Sequence, residues 1–200
     1  RLSQNRWAGP NTSVPKQIEA QSKIDNVFWY NVNDFIIGKT AGDIVCHCTD
    51  EYPSLKITDL PRPFNKPDLV IFESLYFKPF LKVASNCRKN TIPYIIIPRS
   101  SLTYAGQKSK ALKKIIGNAL FFNRFIKKAI GIQYLTEKEY RDSGDKWNRN
   151  NLIIPNGIDK KSITKSTFNS EKLKGVFIGR LDIYQKGLDL FLEACGKIKE

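Results

Sequence analysis

The chain has 200 residues, is 41% hydrophobic and 12% aromatic, and carries a formal charge of +14. That apolar share supports a packed core and excludes global disorder. No apolar run approaches the roughly 20 residues of a membrane span, and no signal-peptide pattern opens the chain, so the expected location is cytoplasmic.

The charge calls for anionic partners, and it is unevenly spread. From Ser74 through Thr136 there is no Asp or Glu, while Lys and Arg recur throughout. A solvated face usually mixes its signs, so a long single-sign stretch points to a functional anionic surface. Cys46, Cys48, Cys87 and Cys195 are scattered in apolar surroundings, which suits reduced thiols better than a disulfide framework.

In chain order, residues 1–13 are polar and turn-rich around Gly9-Pro10. Ser13 is placed to cap a helix beginning at Val14 or Pro15 and running to about Lys23. Asn26 to Val32 reads as a buried strand and Asp43 to Cys48 as a second. After a proline-rich passage, Lys66 to Phe72 predicts a third strand, with Glu73 and Ser74 at its carboxyl end. Lys78 to Asn90 predicts a helix with Phe80, Leu81, Val83, Ala84 and Cys87 facing inward. Tyr94 to Pro98 is a β-branched run suited to a parallel strand buried on both faces. Arg99 and Ser100 follow it. They form either a helix-capping turn or, at the edge where open α/β sheets hold ligands, part of a site.

Gln107 to Ile130 predicts a helix broken or kinked near Gly117. Lys110, Lys113, Lys114, Arg124, Lys127 and Lys128 recur at three- and four-residue steps as a basic stripe. Leu112, Ile115, Ile116, Ala119, Leu120, Phe122, Phe125, Ile126 and Ala129 supply the apolar side. The stripe is either the solvated face of a core helix or a face that meets anionic lipid headgroups. Ile132 to Leu135 is another strand, Thr136 with Glu139 makes a capping box, and Leu152 to Pro155 is the last strand before a lysine-rich connector. Val176 to Ile178 then predicts a short strand, and Leu188, Phe191, Leu192 and Cys195 a helix. Arg180 and Lys186 lie between them, as a diphosphate or oxyanion site at a helix N-terminus or as the solvated charges of an ordinary turn. Strands and helices alternate, so the expected fold is α/β, a Rossmann-like parallel sheet flanked by helices.

Two linked stretches carry a resemblance. Pro155-Asn156-Gly157-Ile158-Asp159, followed by Gly179-Arg180-Leu181 and Lys186-Gly187-Leu188-Asp189, resembles the interdomain segment and the opening of the C-terminal domain in glycosyltransferase family 4, retaining enzymes of GT-B fold. Lys66-Pro67-Asp68-Leu69-Val70 and Thr136 to Glu139 are similar to further motifs of that family. Pro98-Arg99-Ser100 stands where many members have Pro-His-Gly or Pro-Arg-Gly, with the basic residue kept and the glycine replaced.

The resemblance implies an N-terminal acceptor-side domain at 1–160, a connector at 161–174, and the first strand and helix of a donor-binding domain at 175–200. It implies sugar transfer with retention from a nucleotide-sugar donor to a saccharide or lipid-linked acceptor, in bacterial cell-surface polysaccharide or glycolipid synthesis. Arg180, Lys186 and Gly9 would bind the donor diphosphate, and Arg99, Glu73 and Ser100 would lie on the acceptor side. No cofactor and no metal are expected. The location would be cytoplasmic, peripheral on the inner face of the cell membrane. The family's paired glutamates are expected beyond Glu200. Arg1 replaces an initiating Met and Glu200 falls within a helical pattern, so the 200-residue chain is expected to be a piece of the enzyme, inactive alone.

Other chemistries find little support. Cys46-His47-Cys48 lacks the spacing of a zinc site, and no phosphate-binding or dinucleotide glycine loop occurs. The single histidine, with no G-x-S-x-G elbow, disfavours a hydrolase triad. The rival reading is a basic nucleic-acid-binding or peripheral membrane-binding α/β module without catalytic activity. No recognised nucleic-acid motif supports the first form, and no nucleic-acid partner is expected.

Overall fold

The computed structural model describes residues 9–32, 40–157, 176–177, 183 and 187–198. The chain divides into two compact units, Arg1–Asp159 and Lys160–Glu200. The first unit is α/β, as expected. Its main sheet has four parallel strands in the order β4-β5-β6-β7, namely Val70–Glu73, Tyr94–Ile97, Gly131–Tyr134 and Asn151–Ile153. A smaller sheet has the order β1-β3-β2, with Trp29–Asn31 parallel and Thr40–Ala41 antiparallel to Ile44–Cys48.

The main sheet is organised by its two central strands, in which all of Tyr94–Ile97 and all of Gly131–Tyr134 are buried. Parallel strands covered on both faces read as continuous apolar runs, which is what Tyr94 to Ile97 offers. The helix Lys78–Lys89 (α2) packs Phe80, Val83, Ala84 and Cys87 into the core. Leu81, expected inward, is only partly buried. Phe72, on the edge strand β4, meets the rings of Phe80, Tyr94 and Phe125 edge-on at 5.0–5.4 Å between centroids. Tyr94 keeps its hydroxyl satisfied inside this cluster by donating to the Phe125 carbonyl at 2.8 Å, as a buried phenol must.

In the small sheet, side-chain alternation divides two cores. Trp29 and Cys46 join Val14 and Ile18 of the first helix, Pro10–Gln21 (α1), while Phe28, Tyr30 and Val32 face the main core. The same alternation answers the Cys46-His47-Cys48 question. Both cysteines are buried, whereas the intervening His47 stacks on Phe28 at 4.5 Å and pairs with Glu51 at 2.7 Å. Adjacent strand residues point to opposite faces, so the three cannot converge on one ion.

Several boundaries differ from expectation. α1 starts at Pro10, because proline at the first helical position needs no N–H partner. Ser13 is therefore inside the helix, where its hydroxyl donates back to the Gly9 carbonyl at 3.1 Å. The first strand is only Trp29–Asn31, and the two-residue β2 was not expected.

The long helix predicted from Gln107 to Ile130 is four pieces. They are Tyr104–Lys108 (α3), Ala111–Gly117 (α4), a π-helical turn Asn118–Phe122, and Asn123–Lys128 (α5). The first break falls at Lys110, whose φ is +57, and Gly117 leads into the π turn rather than a kink. A further helix, Glu137–Ser143 (α6), joins β6 to β7.

In the second unit the described helix is Leu188–Gly196 (α7), capped by Gly187 at φ +59, a left-handed position that favours glycine. Val176 and Phe177, expected to be strand, have no regular structure, and α7 buries none of its residues. Phe177 stacks on Phe191 at 5.5 Å.

Candidate functional site

Three loops leave the carboxyl ends of β4, β5 and β6, the edge at which a parallel sheet presents ligand-binding groups. The first carries Glu73 and Ser74, the second Arg99 and Ser100, and the third leads through Thr136 into α6. Parallel register sets Glu73 beside Ile97, and the Ser74 N–H donates to the Ile97 carbonyl at 2.9 Å. The polypeptide therefore delivers Glu73 and Arg99 to the same place from positions 26 residues apart.

There they pair, with Arg99 Nε donating to Glu73 Oε2 at 2.8 Å while the two side chains are only 12% and 14% exposed. Arg99 and Ser100 both have left-handed backbones, at φ +50 and +63, and Ser74 lies at φ +111. Such conformations cost of order 1–3 kcal/mol for non-glycine residues and persist where surrounding bonds over-determine them.

Those bonds are present. The buried carboxylate of Glu139 accepts from the Ser100 N–H through Oε1 and from the Leu135 N–H through Oε2, the latter at 2.8 Å. One side chain thus ties the β5 loop to the β6 loop. Thr103 Oγ1 donates to the Ser100 carbonyl at 2.8 Å, and Gln107 Nε2 to the Ser101 carbonyl at 2.6 Å. Glu139 was expected to complete a capping box by reaching back to its own helix end. Only half of that box forms: the Glu139 N–H donates to Thr136 Oγ1 at 3.0 Å, while the carboxylate serves the neighbouring loops.

Two polar atoms here are buried without a hydrogen-bond partner, Arg99 Nη2 and the Tyr134 hydroxyl. Burial, and next the charge of Glu139, push the Tyr134 phenol well above its ordinary value, so it stays protonated. The Tyr134 ring is wholly inside the core against Tyr140, at 5.3 Å, so the unspent donor of the loop edge is the guanidinium N–H of Arg99. A guanidinium N–H suits an anion or a polyhydroxylated ligand. Tyr134 and the inter-loop role of Glu139 were not read from sequence. The Thr136/Glu139 spacing marks a helix start, but nothing local shows that the carboxylate spans 39 residues to Ser100.

Glu73 also borders a groove of about 720 Å³ lined by residues of α1, β1 and β4, among them Val14, Trp29, Asn31, Val70 and Phe72. A second depression of about 800 Å³, near Lys127, Tyr140, Trp147 and Asn150, opens at the amino ends of β6 and β7, the opposite edge of the sheet from Arg99. The Glu73 groove runs along the whole length of β4 and the residues before it, from Lys66 to Glu73, and Arg99 and Ser100 are not part of its lining.

Of the sequence-derived site residues, the structure brings Arg99, Glu73 and Ser100 together. Gly9 is elsewhere, at the cap of α1 with a right-handed backbone, and its carbonyl accepts the N–H groups of Thr12 and Ser13. Lys110, Lys113, Arg124, Lys127 and Lys128 are exposed on the α4–α5 segment. Lys114 is half-buried, donates to the Gly106 carbonyl, and lies 5.1 Å from the Tyr76 ring centre. Arg180 and Lys186 lie outside the described residues. Among those residues no group of three or more His, Cys, Asp or Glu is disposed to hold a metal ion, and no helix is long and apolar enough to cross a membrane. Compared with protein-family models, with curated proteins and with solved structures, the chain has no match.

Proposed function

We propose that the protein is the acceptor-side part of a retaining GT-B glycosyltransferase. It would transfer a sugar from a nucleotide donor to a saccharide or lipid-linked acceptor, at the cytoplasmic face of a membrane and without a metal or other cofactor. The observation that carries this reading is the buried Glu73–Arg99 pair with its unspent guanidinium N–H at the carboxyl edge of a parallel sheet. The resemblance of the Pro155–Asp159 and Gly179–Asp189 stretches to family 4 supplies the reaction class.

Chemically, such a transfer needs the acceptor hydroxyl held and the leaving diphosphate neutralised. In this proposal Arg99 Nη2, held in place by Glu73, donates to an acceptor oxygen. Arg180 and Lys186 meet the diphosphate, whose developing charge is what the transition state most needs stabilised.

The test is release of nucleoside diphosphate from a panel of sugar nucleotides by the intact gene product, with membrane lipid extract as acceptor. Arg180→Ala or Lys186→Ala should lower kcat/KM by about a hundred-fold, as loss of a transition-state donor does. Arg99→Lys should raise the acceptor KM more than the donor KM, because lysine keeps the charge but not the planar fork. Donor turnover that none of the three changes would overturn the proposal.

A further inference from the structure

The α4–α5 segment presents an apolar face that stands exposed among the described residues. Leu112, Ile115, Ile116, Leu120 and Phe121 are between 51% and 71% exposed. α4 buries no residue at all, although it carries three large aliphatic side chains in seven positions. Leu112, Ile115, Ile116 and Leu120 fall at i, i+3, i+4 and i+8, so they form one stripe along the segment. A helix this short is marginal in water unless its apolar face is packed, and the described residues of the first unit leave that face open. The sequence pattern left the segment open between a core helix and a membrane-surface helix. The buried residues of the segment are Asn118, Phe122, Phe125, Ile126 and Ala129.

Along this part of the chain the charge has one sign. Lys108, Lys110, Lys113, Arg124, Lys127 and Lys128 are all exposed, and no Asp or Glu occurs anywhere from Ser74 through Thr136. This combination selects the occupant. A second copy of the chain would bring like charges together at a self-complementary interface. A nucleic acid would satisfy the lysines but has no use for five exposed residues of which four are aliphatic, since single-strand binding relies on aromatic platforms. An anionic bilayer satisfies both: headgroup phosphates meet the cations, and the Leu and Ile side chains enter the acyl boundary.

We infer that the α4–α5 segment docks the protein on an anionic membrane surface, with Leu112, Ile115, Ile116, Leu120 and Phe121 inserted and the surrounding lysines on the headgroups. This deepens the membrane location proposed above but stands apart from the transfer reaction, since vesicle binding is read with no donor or acceptor present.

Co-sedimentation of the chain with phosphatidylcholine vesicles, with and without phosphatidylglycerol, tests it. Binding should require the anionic lipid and weaken with salt. Lys110→Gln with Lys113→Gln should reduce partitioning by about five-fold per lysine, and Ile115→Asn with Ile116→Asn by at least about ten-fold. Both pairs are exposed, so the far-ultraviolet circular dichroism should not change. Vesicle binding indifferent to the isoleucine pair would overturn insertion. No vesicle binding at all would overturn the docking surface outright, whether accompanied by concentration-dependent dimers in sedimentation velocity or by lysine-dependent binding to DNA.

Discussion

Glu139 makes the most testable claim about how the site is held. The residue is 6% exposed and its carboxylate accepts two backbone N–H groups, from Ser100 and Leu135. Glu139→Gln preserves shape but offers one acceptor oxygen and turns an N–H₂ toward the second backbone donor. One buried N–H then goes unsatisfied, at about 1–3 kcal/mol, and the surviving bond loses its charge assistance. Glu139→Ala removes both acceptors, so about 2–5 kcal/mol is expected. Urea unfolding measures this directly, and the m-value should stay constant because the exposed area hardly changes. Glu137→Gln is the control: it sits two residues away in the same first turn but is exposed, and should cost less than about 0.5 kcal/mol. If Glu139→Gln unfolds within about 0.5 kcal/mol of the parent, the two loops are not held by that carboxylate.

Two further expectations follow from burial. Cys46, Cys48 and Cys87 are buried while Cys195 is exposed, and burial pushes the Cys87 thiol up to about 11. A chromogenic disulfide reagent at neutral pH should therefore titrate one thiol in the native chain and four in urea; rapid native reaction of more than one would contradict the fold of β3 or α2. Burial, and next the charge of Cys48, raise the Tyr30 phenol to about 12, where it donates to the Tyr52 carbonyl at 2.7 Å. A folded-state pKa raised above the unfolded value of about 10 gives stability that is complete below pH 10 and lost as pH rises to 12. The loss should be on the order of 2 kcal/mol, and Tyr30→Phe should flatten that alkaline decline. A urea midpoint constant across this window would refute the assignment.

The parts of the fold legible in sequence are those fixed by short-range pattern. The Tyr94 to Pro98 run suited a doubly covered strand, and Phe80, Val83, Ala84 and Cys87 placed α2 by their spacing. Thr136 announced the start of α6. What escaped was set by contacts at a distance or by ambiguity of pattern. An amphipathic stripe looks the same whether a core or a membrane covers it, so the pattern of Leu112, Ile115 and Ile116 left both readings open. The break at Lys110 carries no glycine or proline to mark it, because a lysine occupies the left-handed position. Glu139 and Arg99 were visible as residue types at promising places, but only the sheet register shows that one holds the other's loop.

The strained turn itself sharpens the comparison with the Pro-Arg-Gly pattern. Glycine at position 100 would adopt φ +63 without penalty, whereas Ser100 adopts it at a cost of order 1–2 kcal/mol. A serine can hold that shape only because its N–H is taken by Glu139 and its carbonyl by Thr103. The next carbonyl, of Ser101, is held by Gln107. Gln107 in turn donates to the Tyr76 hydroxyl at 2.7 Å and accepts from Asn118 Nδ2 at 3.2 Å, so the same amide fastens the turn to the π-helical segment behind the basic face. Every member of that chain is a side chain whose removal strands a polar partner in a part-buried setting. The loop that presents Arg99 is therefore built as a rigid element, and its attachment runs through the segment proposed to meet the membrane. An acceptor carried in that membrane would approach a donor group that is already in place.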